Sequence, residues 1–384
     1  MLTSERAVSL LSKLVSIDTT STERKNFEKM ADILVEESQR MNLTAEKRTD
    51  KRGIPHVLVS VPGAPKKAKK VIFVTHYDIV PAGEGWDFDP FKPFVRDGKL
   101  YGRGAADNKS NIVAALVAFH EVLEENLQLK VNPVLAVAGG EETGESEGFF
   151  KTLEGDLAVI LDVGCESISI GASGSVRLVV KVFGQQAHSA YPYKGVNAIY
   201  EAVKVIEFIK RKAEEFEKTV LSKFPAPTHY ERLPRRMSAT MVSGGVAANI
   251  IPGECNITVD VRTIPEENAK EVAKEVGDML EHFAKENKLN MMVEVKSFSN
   301  GWYTADEKVV NTVRKVAEEV VGKPLKVSVE LGGTDGRYLI ERMPVVQFGT
   351  LREDTNFHGI NEFVYLTDLM IVKSFVKRLL ATEL

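Results

Sequence analysis

At 384 residues the chain exceeds the ~100–200 residues of one ordinary domain, and two domains are expected. A formal net charge of -4, with no Lys/Arg cluster interleaved with aromatics, excludes a nucleic-acid groove, and no apolar stretch reaches the ~20 residues of a membrane helix. The two cysteines, Cys165 and Cys255, cannot make a disulfide framework and read as small buried hydrophobes, which with the charge-alternating N-terminus predicts a soluble cytoplasmic protein.

The segment to about Gln39 reads as two amphipathic helices, the second capped at Ser21 or Thr22 ahead of Glu23. HVLVSV at 56–61 and VIFVTHYD at 71–78 flank a turn with Pro62, Gly63 and Pro65, so the two are expected to pair in one sheet. After Gly102 and Gly104, SNIVAALVAFHEVLEEN predicts a long apolar helix that returns the chain to a strand at 134–138, an α/β crossover. Near Gly174 the character changes. SVRLVVKVFG, NITVDVRTI and MMVEVKSF alternate as half-exposed antiparallel strands, with a helix at about 196–218 between the first two. From about Thr304 the α/β pattern resumes and ends in a helix at 366–381. The expected fold is α/β, a domain of residues 1–173 and 300–384 with a mixed sheet flanked by helices, split by an inserted α+β domain at 174–299.

Potential metal ligands fall just after the apolar runs. VIFVT delivers His76 and Asp78, VLAVA delivers Glu141 and Glu142, LAVIL delivers Asp162, and VVQFG precedes the loop with His358. Strand ends are where open α/β sheets build active sites, and imidazole with carboxylate suits zinc, cobalt or manganese. His76 and Asp78 are two apart in extended chain, so the Asp78 carboxylate can accept the second ring N–H of His76. Asp107 follows GRGAA at a helix start; it reads as a bridging carboxylate or as a cap, a role Asn108 or Ser110 could equally fill. Neighbouring side chains at a strand end diverge, so of Glu141 and Glu142 one should ligate and one act as base. Two divalent ions against Asp107, Glu142 and Asp162 leave one positive charge for a hydroxide, and a further ligating Glu would overshoot, which assigns Glu141 as general base. Taken singly, each motif also reads blandly: HxD as a surface pair, GGEETGESEG as an acidic turn, Asp162 and His358 as polar strand-end groups. The convergence of five such residues favours a two-metal hydrolase. His56, His120, His229 and His282 lack such placement and read as surface or structural.

HYD at 76–78, GRGAADNKSN at 102–111, GGEETGESEG at 139–148 and FHGINE at 357–362 resemble the co-catalytic zinc amidohydrolases and peptidases of family M20, which include acetylornithine deacetylase, succinyl-diaminopimelate desuccinylase, aminoacylase and glutamate carboxypeptidase. The resemblance implies two divalent ions, most often Zn²⁺ with Co²⁺ or Mn²⁺ possible, bridged by Asp107, with His76 and Asp162 on one and Glu142 and His358 on the other. It implies a lid domain that forms a homodimer, with His188 in GQQAHSAYP reaching across to stabilise the oxyanion of the neighbour's substrate. Asn249, Arg262, Gly333, Thr334 and Arg337 resemble substrate-contacting positions, where an arginine suits a carboxylate. Two departures bear on substrate. Ser173 stands where desuccinylases carry arginine before the Gly-Ser that opens the lid, and Asp354 where they carry asparagine, so the expectation leans toward a neutral acyl or peptidyl group on an amino acid with a free carboxylate. Succinyl-diaminopimelate desuccinylase chemistry is the alternative, two-metal phosphoester hydrolysis a more distant one, and a non-catalytic binding relic is disfavoured because Glu141 and every candidate ligand are present.

Overall fold

The computed structural model of the chain describes residues 3–384, so Met1 and Leu2 of the first predicted helix lie outside the described residues. The chain divides into two compact bodies: one runs up to Ile170 and adds Thr304–Val327 and Tyr338–Leu384, the other comprises Gly171–Tyr303 and Ser328–Arg337.

The first body is built on a mixed sheet in the order Thr44–Thr49, Pro55–Ser60, Asn132–Ala138, Lys70–His76, Leu157–Ile160, Val345–Gln347, Ser167–Ala172. Its middle four strands are parallel, and the outer pairings are antiparallel. Every residue of Lys70–His76 after Lys70 is buried, as an interior parallel strand covered on both faces requires. The helix Ser110–Glu124 is apolar nearly all round and accordingly buried, packed against Thr3–Val15 and Leu366–Leu380. Two expectations are corrected. The strands around 56–61 and 70–76 share the sheet but do not pair, because Asn132–Ala138 lies between them, antiparallel to one and parallel to the other. The second helix begins at Phe27 and not at Glu23: Ser21–Glu23 is an isolated 3₁₀ turn, and Arg24 and Asn26 take left-handed backbone that interrupts the run.

In the second body four antiparallel strands stand in the order Arg236–Gly244, Glu254–Thr263, Gly174–Phe183, Met291–Ser299. Val176, Leu178, Val180 and Val182 alternate into a core shared with the helices Ala198–Thr219 and Ala269–Glu286. Both helices are capped by asparagine: Asn197 accepts from Ile199 N, and Asn268 from Lys270 N and Glu271 N. The sequence reading left 328–337 with the first domain, yet it packs in the second body. Trp302 is one of its anchors, with Nε1 donating to Thr334 Oγ1 at 3.2 Å and its indole lying on Gly336. Among the described residues no helix is long and apolar enough to cross a membrane.

A Cβ on Gly336 would stand 1.9 Å from Trp302 Cζ2. Gly336→Ala should therefore destabilise the second body by roughly 1–3 kcal/mol, as overpacking does, read as a lower denaturant midpoint.

Candidate metal centre

The four parallel strands end on one edge of the sheet, and each end, or the loop after it, carries a group with ligand chemistry. His76 closes Lys70–His76 and is buried. Its Nδ1 lies 3.0 Å from the main-chain oxygen of Asp78; a carbonyl only accepts, so Nδ1 donates and Nε2 is left for the site. Nε2 is 3.1 Å from Asp107 Oδ1, 3.8 Å from Asp162 Oδ2 and 3.9 Å from Glu141 Oε2. The other oxygen of Asp107 lies 3.0 Å from His358 Nε2, which is also 3.2 Å from Glu142 Oε2. Asp107 thus turns one oxygen to each histidine. That is the disposition of a bridging carboxylate.

The Asp78 carboxylate does not do what the sequence suggested. It lies 3.6 Å from His76 Nδ1, beyond hydrogen-bonding range, and instead accepts from the backbone N–H groups of Glu141 and Glu142 at 3.1 Å each. Asp78 therefore fixes His76 through its main chain and the glutamate turn through its side chain. From that turn Glu142 goes inward to His358, while Glu141, its side chain 22% exposed, borders His76. The two diverge as strand-end neighbours do.

Neither Asn108 nor Ser110 caps the helix after Asp107. Asn108 accepts from Thr75 Oγ1 and donates to Leu161 O at 2.8 Å and to the Asp162 carboxylate, so it ties two strand ends together. Glu362, which sequence reasoning passed over although it closes FHGINE, holds the Asp107 loop. Its carboxylate accepts from the backbone N–H groups of Gly104, Ala106 and Asp107 and pairs with Arg103 at 2.7 Å, with both side chains buried. Arg103 also donates to Gly359 O at 2.7 Å, joining that loop to the one carrying His358. Asn356, His358 and Asn361 all have φ between 55° and 60°, a left-handed conformation costing about 1–2 kcal/mol per non-glycine residue. The signal for Glu362 was its lone acid after an apolar-turn motif, but an acid that anchors backbone is indistinguishable by sequence from one on the surface.

Charge explains what the cluster needs. Burial opposes charge on all three inner carboxylates; it raises the pKa of Glu142 and, helped by the charge of Asp107, of Asp162. Asp107, the buried one of the two aspartates, is nevertheless held below the usual carboxylate range by the two histidines. His76 rises well above 6.5 in spite of burial because Asp107, Asp162 and Asp78 surround it, and hydrogen bonds to Asp107 and Glu142 push His358 up to about 10. The imidazoles are thus drawn toward the cationic form by an excess of negative charge. Glu142 Oε1 is buried with no hydrogen-bond partner, and ligand atoms of His76, Asp107 and Glu142 lie within 4.8 Å of one another. An orphaned carboxylate oxygen, convergent Nε2 atoms and surplus negative charge fit a divalent cation.

The other predicted site residues lie in the second body. His188, exposed on the strand Ala187–His188, accepts at Nδ1 from Ala190 N, and Asn249 is exposed with its carbonyl accepting from Ser189 N. Arg262 pairs with Asp260 at 2.8 Å, Arg337 donates to Ser299 Oγ at 3.3 Å, and Gly333 lies near Ser173 O. Asp354 accepts from Tyr365 O–H at 2.6 Å, so the extra acid noted in the sequence has a partner of its own. His56 and His120 are buried and bonded to backbone, whereas His229 and His282 are exposed.

This fold with this site defines a metal-dependent amidohydrolase or peptidase. The chain belongs to peptidase family M20/M25/M40, whose model it matches over residues 72–382. It is 31% identical over 320 residues to a succinyl-diaminopimelate desuccinylase from Nitrosomonas eutropha, covering 78% of this chain and 79% of that one. Solved structures share the fold: a tripeptidase from Staphylococcus aureus (TM-score 0.77, 22% identity, 98% of each chain) and an M20 family metallo-carboxypeptidase from Sulfolobus solfataricus (TM-score 0.74, 19% identity, 98% of each chain). Family membership sets aside the phosphoester and binding-relic alternatives.

Glu362→Gln should leave Arg103 buried without its counter-ion and lower stability by about 3–5 kcal/mol in chemical denaturation, and adding Arg103→Met should restore part of that loss. A second expectation concerns protons. With its pKa raised to about 10 in the folded state, His358 contributes stability to the metal-free protein that is complete below about 6.5 and lost as pH rises through about 10. Binding of Zn²⁺ near pH 7.5 should therefore release about one to two protons, from His358 and His76, measurable by calorimetry in buffers of different ionisation enthalpy.

Proposed function

We propose that the protein hydrolyses the amide bond of an N-acyl amino acid or short peptide bearing a free carboxylate. The observation that carries this reading is Asp107 set between His76 and His358, with Asp162 and Glu142 as the flanking carboxylates. We assign His76 and Asp162 to one ion, Glu142 and His358 to a second, and Asp107 to both; zinc suits this nitrogen and oxygen set, and cobalt or manganese can replace it. Ions held there would supply Lewis acidity, polarising the scissile carbonyl and acidifying the attacking water.

The protein's own groups do the rest. Glu141, at the exposed margin of the cluster, takes the proton of the attacking water and delivers it to the departing nitrogen. Asp78 positions the reaction by holding the Glu141–Glu142 turn and the His76 ring together. Arg262, Arg337, Thr334, Gly333 and Asn249 are assigned to substrate recognition, and His188 of the partner subunit to the carbonyl oxygen as negative charge develops on it. A homodimer through the second body is supported by exposed apolar side chains there, Tyr193, Tyr200, Met241 and Val246, the third of them on the open edge strand Arg236–Gly244. Buried free cysteines accord with a reducing cytoplasmic setting.

The acyl group is the open variable. The sequence departures at 173 and 354 favour a neutral group, and the relatives named as desuccinylases favour a dicarboxylic one. Turnover of N-acetyl and N-succinyl amino acids and of dipeptides, with added Zn²⁺, Co²⁺ or Mn²⁺, decides between them, and no turnover of any would reject the reading. Glu141→Gln should lower kcat by on the order of 10²–10⁴-fold while metal content, measured by elemental analysis, stays at the wild-type level. Wild-type rates in that variant would exclude Glu141 as the base.

A further inference from the structure

The second body holds a half-buried cation that, among the described residues, has no carboxylate in direct contact. Arg236 opens the strand Arg236–Gly244 and is half-buried, yet the hydrogen bonds of its guanidinium go to neutral acceptors, Ser173 Oγ at 2.7 Å and Leu331 O at 3.0 Å. Its Nε is buried with no acceptor. Among the described residues no carboxylate lies within 4.0 Å of it, and burial, with the charge of Arg262, depresses its pKa against the more distant influence of Tyr230, Asp260 and Glu217. The contrast with its neighbour is informative. Arg235 faces the other way and is saturated by Glu267 and Glu275. A partly desolvated charge left without a counter-ion is unfavourable unless an outside anion completes it.

Register shows where that anion would sit. Arg236 is directly opposite Arg262, Arg262 opposite Ser175, and Ser175 opposite Ser299, so these four side chains form one row across the sheet. The row lies on the face away from the apolar core, because the adjoining Met237, Val261 and Val176 are the buried ones. Arg337 joins the row through Ser299 Oγ, and a Cβ on Gly333 would be 3.7 Å from Ser173 O and 4.0 Å from Arg337 Nη1. Arg262 has Asp260; Arg236 has only the hydroxyl and the carbonyl.

We infer that Arg236 is a specificity-determining residue that binds a carboxylate of the substrate beside Ser173, in a subsite completed by Arg262 and Gly333. The inference rests on the amide-hydrolase reading and deepens it by requiring a carboxylate on the substrate at this position. Guanidinium suits the task because its planar donors can meet both carboxylate oxygens, and with Nη2 on Ser173 the group is already oriented. The carboxylate could belong to the acyl group or to the amino acid. The chemistry at Arg236 is the same, and the probes separate the two.

The test measures KM and kcat of wild-type enzyme, Arg236→Gln and Arg236→Lys on three probes: N-succinyl-L-alanine, N-succinamoyl-L-alanine, which lacks the acyl carboxylate, and N-succinyl-L-alaninamide, which lacks the α-carboxylate. Loss of one charged hydrogen-bonding partner should raise KM roughly 10–100-fold for N-succinyl-L-alanine with kcat little changed. The same substitution should have almost no effect on whichever probe lacks the recognised carboxylate, and Arg236→Lys should fall between. Equal KM changes on all three probes, or none, would overturn the assignment. If Arg236→Gln does not fold, judged by its melting transition, the comparison rests on Arg236→Lys under the same criterion. Should wild-type enzyme cleave none of these probes and none of the N-acetyl amino acids and dipeptides either, the hydrolase reading fails by itself; in either case of uncleaved probes, calorimetric binding of succinate and L-alanine tests Arg236 separately, with affinity for one lost in the variants supporting the subsite and unchanged affinity for both refuting it.

Discussion

Burying several carboxylates at one sheet edge is unfavourable unless positive charge accompanies them, and that constraint organises the first body. Asp107 and Glu142 are largely removed from water and Asp162 is half-buried beside them, with only two imidazoles among the three, and the imidazoles respond by holding protons above their ordinary range. Such a cluster is poised for dications. A proton on each histidine is the substitute that an acidic, partly dry pocket adopts when no stronger charge is present.

The same region shows how position is enforced. Glu362 and Arg103 form a buried ion pair whose value lies less in stability than in geometry, since it gathers three backbone N–H groups and fixes the loop that carries Asp107. Asp78 treats the next strand end similarly, accepting from both members of the Glu141–Glu142 pair. Asn108 links Thr75, Leu161 and Asp162. Each of these imidazoles and carboxylates therefore stands on a strand end or on a loop clamped to one, and the left-handed residues around His358 hold their strained backbone because Arg103 and the Asn361–Asp87 contacts fix the loop.

The second body uses charge in the opposite sense. Its core face is apolar and shared with two helices, while the opposite face carries a row of arginine and serine. The first body thus concentrates negative charge at one sheet edge, and the second carries positive charge on one face of its sheet. The residues assigned to substrate, including Gly333, Thr334 and Arg337, belong to the second body, where Trp302 is one of the anchors of the 328–337 segment.

Much of this was legible in the chain. Apolar runs followed by His76, Glu142 and Asp162 identify buried parallel strands and the polar groups at their ends, because a strand covered on both faces must be apolar until it leaves the sheet. Period-2 alternation likewise marked the second sheet. Local patterns could not show that Asn132–Ala138 separates two strands adjacent in sequence, that the Asp78 side chain serves the glutamate turn and not His76, or that Glu362 clamps the Asp107 loop across more than 250 positions. Nor could they single out Arg236, which follows Arg235 directly but points away from the carboxylates that Arg235 meets. Sequence determines which residues must be buried and which chemistry is available. Which donor meets which acceptor is decided by contacts between distant segments, since a hydrogen bond depends on distance and direction that only the assembled fold sets.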